Sequence, residues 1–245
     1  MKPIRVTLPR VCFHLHRAAP CRGCSAVVGL NIQMLKFIQP ARVESKQVEP
    51  LRAIYFDSFP PPERGDFNDW LNEIAEGKRW LFLAEARCQI IGYATILPWV
   101  TADAHLLEYL AIARDCRGLN FGAQLLEHVA DTMRALGKAD GIFLEVESDD
   151  VDTATDAERY LRKRRIAFYT RNGAAIVDCA PRYRVPSLVG GDPLKMKIMW
   201  LPLRESAAPP HGQQLRECII GSFTLDYGLP ADDPLLIAVL KDLAC

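Results

Sequence analysis

The apolar pattern of the chain changes period sharply between residues 106 and 136. Residues 106–112 form a short, nearly continuous apolar run that suits a buried strand. A polar and basic turn follows at 114–117, and then Gly118-Leu119-Asn120-Phe121-Gly122 opens into a segment of helical spacing. Leu125, Leu126, Val129, Met133 and Leu136 there fall on one face. Residues 141–147 make the next strand, and strand–helix–strand in this order generates a parallel pair.

The flanking segments predict a layered protein around that unit. Residues 35–38 suit an edge strand. Residues 48–59 suit a helix with Pro50 in its first turn, carrying Leu51, Ile54, Tyr55 and Phe59, and Pro60-Pro61-Pro62 stops it. A second short helix covers 67–74 and ends near Gly77. Residues 80–84 and 90–97 read as an antiparallel hairpin whose turn, through Arg87-Cys88-Gln89, has no strong turn dipeptide; Pro98 closes its second strand. A basic helix running to about Asn172 follows, with Gly173 placed as its C-terminal cap. Residues 174–177 then begin a strand, a Pro/Gly-rich loop covers 181–193, and 195–201 is the last strand of the sheet. Two further helices are expected, one around Leu215, Ile219 and Phe223 and one over 234–240. The fold class is α/β with a mixed central sheet. The expected organisation is a leader at 1–33, a catalytic-size domain at 34–201 and a helical C-terminal extension at 202–245 packed on it.

Composition narrows the function classes. Lysine plus arginine and aspartate plus glutamate both number 30, which argues against a dedicated nucleic-acid binder. Residues 1–47 hold eight of the bases and one acid, so the remainder is net acidic. No apolar run approaches the ~20 residues that span a bilayer, so no membrane partner is expected. Arg5, Arg10 and Arg17 interrupt any secretory leader. Eight scattered cysteines fit a reducing compartment, the cytoplasm, better than a disulfide scaffold. In the leader, Cys12, His14, His16, Cys21 and Cys24 are ligand types for zinc, but with one C-x-x-C pair their spacing matches no standard finger. The plain reading of 1–33 is a dispensable extension; a zinc-anchored nucleic-acid adaptor is the alternative it raises.

The strand–turn–helix at 106–126 carries the chemistry. Such a junction aims unpaired backbone N–H groups and the positive end of a helix at an anion. No Rossmann fingerprint is present, since Gly118 and Gly122 are four apart, and the G-K-[S/T] of a P-loop is absent. Glu108 stands inside an otherwise apolar strand, where an acid is costly unless used or paired. Regular alternation groups it with Leu106 and Leu110, opposite Tyr109. It is read as a general base or an anchor for a substrate amine, with a salt-bridged glutamate as the rival reading. Glu145 and Glu147 share one face of the next strand and could replace it. The basic cluster at 159–171 is first a solvated helix face; contact with a phosphate or an acidic acceptor is the other reading.

Arg117-Gly118-Leu119-Asn120-Phe121-Gly122-Ala123 resembles the acyl-CoA signature Q/R-x-x-G-x-G/A of the GNAT superfamily of CoA-dependent N-acyltransferases. Phe168-Tyr169-Thr170-Arg171-Asn172-Gly173 resembles the family's second landmark, a helical tyrosine shortly before a glycine that leads into a strand. The likeness covers residues 35–201 and the whole expected order of elements. It implies a GNAT-like fold and an N-acetyltransferase that passes an acetyl group from acetyl-CoA, as acyl-donor cosubstrate, to a primary amine of a small molecule or peptide. Transfer would be direct, in a ternary complex, by a monomer or homodimer and without metal. The family's cofactor contacts fall on the backbone of Leu110, Ala111 and Ile112 for the pantetheine arm and acyl carbonyl. Arg117, Gly118, Leu119, Asn120, Phe121, Gly122 and Ala123 take the pyrophosphate. Tyr169 stands where the family protonates the departing thiolate. Asn120 replaces the first signature glycine; asparagine is among the few side chains that enter the left-handed region, so the turn still forms. A non-catalytic acyl-CoA-binding or sensory domain is the alternative that this substitution raises.

Overall fold

The computed structural model describes residues 35–40, 42–101 and 103–244. The leader at 1–33, with its cysteine and histidine set, lies outside the described residues. The strands are β1 (Leu35–Ile38), β2 (Trp80–Ala86), β3 (Gln89–Thr101), β4 (Ala104–Ile112), β5 (Gly141–Glu147), β6 (Ala175–Ile176), β7 (Arg184–Val185) and β8 (Leu194–Pro202). The helices are α1 (Ser45–Ser58), α2 (Phe67–Ala75), α3 (Phe121–Leu136), α4 (Asp156–Arg171), α5 (Gly212–Gly221) and α6 (Pro234–Lys241). The sheet runs β1-β2-β3-β4-β5-β8-β6, with β7 also paired to β8. It is mixed: β4 and β5 are parallel and the other pairs antiparallel.

Helices cover both faces. Leu81 and Leu83 pack with Leu51, Ile54, Phe67 and Trp70 of α1 and α2. Phe82, on the opposite side by the two-residue period of a strand, meets His128 of α3 edge-on, with centroids 6.1 Å apart. The segment after Pro202 shares the sheet's core: Leu215, Ile219, Phe223, Leu236 and Val239 pack with Leu106, Phe143 and Trp200. Close approach there depends on Gly221, where a Cβ would stand 2.2 Å from the Val100 carbonyl oxygen.

Three local readings are corrected. α1 begins at Ser45, not 48, because the Glu44 N–H is bonded by the Gln47 side chain at 2.8 Å, so Pro50 lies inside the helix. Pro98 does not end its strand: β3 runs on to Thr101, with Trp99 in the left-handed region (φ 60°) and the pairing with β4 interrupted between Leu97 and Thr101. The β2–β3 hairpin is as expected, and its turn has Arg87 and Cys88 both at positive φ, 50° and 60°, which is the left-handed pair a two-residue hairpin needs.

The third correction positions the site. Thr95 pairs with Tyr109 and Ile96 with Leu107, so Glu108 is an extra residue in β4 with no partner on β3. Alternation breaks there, and the grouping of Glu108 with both Leu106 and Leu110 fails. The parallel ladder to β5 also stops, at Leu107–Leu144. Beyond it β5 continues to pair with β8 through Glu147, while β4 continues with β3. The two central strands therefore part company, leaving a gap between residues 108–112 and 145–147.

Candidate active site

A cavity of about 380 Å³ occupies that gap. It is lined by β4 from Leu106 to Leu110, by Glu145 and Glu147 of β5, by Phe168 and Tyr169 of α4, by the α1–α2 region and by Asp226 and Tyr227 of the C-terminal segment. The junction into α3 does not itself line the cavity; it meets the cavity-lining Phe168 through Gly122. Gly118 takes a φ of 81° and Asn120 a φ of 64°, so the asparagine that replaces the signature glycine does adopt the left-handed conformation. No side chain caps α3. The first backbone donor bonded back to the turn is Gln124, to the Asn120 carbonyl at 3.2 Å, so the amides from Leu119 to Ala123 remain available to a ligand. Gly122 lies against the Phe168 ring and Ile112, each about 3.5 Å from where a Cβ would stand. The helix start, the end of β4 and the tyrosine-bearing turn of α4 thus meet at one place.

Arg117 does not point at those amides. Its Nε donates to the Ile112 carbonyl (2.9 Å), and its guanidinium pairs with Asp57 (2.7 Å) and Ser58 (3.0 Å), tying the turn to the end of α1. The backbone of β4 faces the gap by simple alternation. Ala113 donates its N–H to Ile91 on β3 at 2.8 Å, so Leu110 and Ile112, odd steps away, direct theirs to the other side. Ala111 lies between them and is buried against the α1–α2 core.

Tyr169 is 8% exposed, lines the cavity, and its hydroxyl makes no hydrogen bond among the described residues. Burial pushes its pKa up to about 12, with Arg165 pulling weakly the other way, so the phenol keeps its proton at neutral pH.

Glu108 is part of a buried ion cluster. Arg79, 6% exposed, donates from Nε to Glu108 (2.9 Å), from a second nitrogen to Asp226 (2.9 Å), and also to Glu73. Burial pushes the Glu108 carboxyl upward against the pull of Arg79. Burial, then repulsion from Glu108, pushes Asp226 well up. Arg79 carried no signal in the sequence, because only folding brings residues 73, 108 and 226 to one guanidinium. Glu147 is paired with Arg162 (3.4 Å) and Arg165, and Arg159 bonds the carbonyls of Val151 (3.0 Å) and Ala154 (2.7 Å). Much of the basic face of α4 is thus spent on its own domain. Glu145 accepts hydrogen bonds from the hydroxyls of Tyr183, Ser222 (2.8 Å) and Tyr227 (2.6 Å). Tyr227 and Tyr183 are thereby joined to the site. Among the described residues, Cys88, Cys116 and Cys218 are free.

Comparison with known proteins agrees with this geometry. Residues 46–174, more than half of the chain, match the model of the acetyltransferase (GNAT) family. A curated relative, the 5-NmdU N-acetyltransferase of Pseudomonas phage PaMx11, is 33% identical over 63 residues, 26% of this chain and 45% of that protein. The chain therefore spans less than half of that relative's length. Among solved structures, a GNAT-family putative acetyltransferase from Bacteroides thetaiotaomicron superposes with a TM-score of 0.61 at 20% identity, over 80% of this chain and 99% of that one. The ribosomal-protein-S18-alanine N-acetyltransferase of Escherichia coli gives 0.51 at 19% identity, over 73% and 100%. At such identities the structures speak to the fold, and the family match carries the rest: this chain belongs to the GNAT family of acetyltransferases.

Proposed function

We propose that the protein is an N-acetyltransferase that moves an acetyl group from acetyl-CoA to a primary amine of a small molecule or peptide, by direct attack with both substrates bound. The observation that carries this reading is the parting of β4 and β5, with uncapped amides at the start of α3 against Phe168 and with Tyr169, a buried residue whose hydroxyl has no hydrogen-bond partner among the described residues, lining the cavity. The amides of Leu119, Asn120, Phe121, Gly122 and Ala123 suit the pyrophosphate, where donors and helix dipole coincide. The Leu110 and Ile112 amides suit the pantetheine arm and the acyl oxygen, on which charge develops during attack. Arg117 holds the turn rather than the ligand. An amine must lose a proton before it attacks, since an ordinary alkylamine is protonated at neutral pH. Glu108 on β4 and Glu145 on β5 both line the cavity and supply candidates for that role. Tyr169 donates the proton that the departing thiolate takes up. The phage relative's name also specifies N-acetyl transfer; its acceptor is not carried over to this chain.

The pairing of Glu108 with Arg79 favours, as a second reading, a domain that binds acyl-CoA without turnover. Thiol release from acetyl-CoA in the presence of a panel of primary amines separates the two. Tyr169→Phe is expected to lower kcat by about 100-fold and to leave CoA binding by calorimetry unchanged. Unaltered turnover in that variant would remove the tyrosine from the mechanism. Failure of the wild type to bind CoA would remove the reaction itself.

A further inference from the structure

The carboxylates of the gap differ in one respect. Glu108 has Arg79 as its cation, and Glu147 has Arg162 and Arg165. Glu145 has none among the described residues; three neutral hydroxyls hold it instead, Tyr183 and Ser222 on one oxygen and Tyr227 on the other. Donors of this kind favour the charged form of a carboxyl, yet a buried anion without a counter-charge is costly. Two of the three come from the segment after α5, so the part of the chain outside the family match builds this cradle. The other charged groups near it are Asp226, bound to Arg79, and Glu147, already paired.

Across the cavity stand the rings of Tyr55, Phe59, Trp70 and Tyr109, packed against one another with Phe59 and Tyr109 centroids 4.5 Å apart. Aromatic faces and an unpaired carboxylate are both favourable surroundings for an ammonium group. Eight carboxylate side chains line the cavity against two guanidinium groups, which excludes an anionic acceptor on charge. Tyr169, more than nine-tenths buried and without a hydrogen-bond partner, faces the same space and marks where the leaving sulfur must lie.

Resting on the N-acetyltransferase reading, we propose that Glu145, rather than Glu108, receives the acceptor, that the acceptor is a cationic amine, and that the C-terminal segment at 222–227 holds Glu145 for that role. The acceptor enters as R–NH3⁺ and its missing counter-charge is Glu145. One proton passes to the Glu145 carboxylate, freeing the nitrogen lone pair. The nitrogen forms its bond to the acetyl carbon as the carbon–sulfur bond breaks and its electron pair leaves on sulfur. The thiolate takes the Tyr169 proton, and the tyrosine is restored by the second proton lost from nitrogen. Glu145 returns its proton to solvent, so the products are the acetamide, CoA thiol and one proton. Arg79 keeps Glu108 and Asp226 occupied and acts as a positioning residue.

The test uses the full chain with acetyl-CoA and two probes, 1,4-diaminobutane and Nα-acetyl-lysine amide. Glu145→Gln is expected to lower kcat/KM for both by at least about 100-fold while CoA affinity stays unchanged. Tyr227→Phe and Ser222→Ala each remove one donor to the charged carboxyl, which raises its pKa. Each should therefore move the acid limb of the kcat/KM profile to higher pH, an effect that a purely structural role would not produce. If Glu145→Gln does not fold, those two profiles decide the matter. A wild type that acetylates the probes, with Glu145→Gln within fivefold of it or with both profiles unmoved, overturns the assignment and leaves the transferase reading standing. A wild type that binds CoA and acetylates only amines that are neutral at the assay pH, such as arylamines, overturns the cationic-acceptor assignment and preserves the transferase reading; absence of turnover across the panel removes both.

Discussion

At the scale of single residues, Asn120 shows how a departure from a family pattern is absorbed. The position needs a left-handed backbone, which costs most side chains roughly 1–2 kcal/mol and asparagine less. Asn120→Gly is therefore expected to keep CoA binding and melting temperature close to wild type. Asn120→Val should destabilise by about 1–2 kcal/mol and weaken CoA binding, both readable by thermal melting with and without CoA. His105 makes a second residue-scale prediction. It is fully buried, its Nδ1 accepts from the Trp99 N–H at 3.3 Å, and burial lowers its pKa to about 4. Between that value and the ordinary one near 6.5, the unfolded chain binds the proton and the folded chain does not. Stability is thus full above about pH 6.5 and falls as pH drops toward 4, by up to about 3 kcal/mol from this group. Urea unfolding at pH 7 and pH 5 checks it: a His105→Asn variant should lose much of the difference between the two.

Among the elements, the bulge in β4 and the Arg79 cluster decide most. One extra residue at Glu108 turns the strand, stops the parallel ladder and brings the acid to a guanidinium that α2, β4 and the C-terminal segment share. Arg79→Met would leave Glu108 and Asp226 buried without a cation, at a cost of about 3–5 kcal/mol at neutral pH. Because those carboxylates would then prefer their protonated forms, the deficit should shrink as pH falls. A deficit that is small or independent of pH would show that the cluster is solvated and not a structural centre. The elements themselves were largely legible beforehand. The strand–helix–strand unit, the hairpin and the helix ending at Gly173 all follow from period and caps. The misplaced points, Pro50, Pro98 and the Glu108 alternation, are those where a cap or a bulge overrode a local rule about proline or parity.

For the whole molecule, the segment after Pro202 is continuous with the central core through Leu215, Ile219, Phe223 and Leu236, all fully buried. Cutting the chain at residue 203 would expose Trp200, Phe143 and Leu106, remove Asp226 from Arg79, and open the cradle of Glu145. The truncated protein is expected to be aggregated or unfolded by circular dichroism and gel filtration. A soluble, cooperatively folding 34–203 fragment would contradict that account. No helix among the described residues is long and apolar enough to cross a membrane.

The sequence by itself determined the order of elements, the mixed α/β class and the glycine-bearing strand-to-helix junction at 118–123, because each is written in local periodicity, glycine placement and capping. The family resemblance at Phe168–Gly173 also brought Tyr169 forward. Only tertiary structure decided what surrounds the acids. Whether a carboxylate is paired depends on cations that lie 29 and 147 positions apart in the chain, as with Arg79, Glu108 and Asp226. No period or motif records such contacts, since they arise where separate elements happen to close on one cavity.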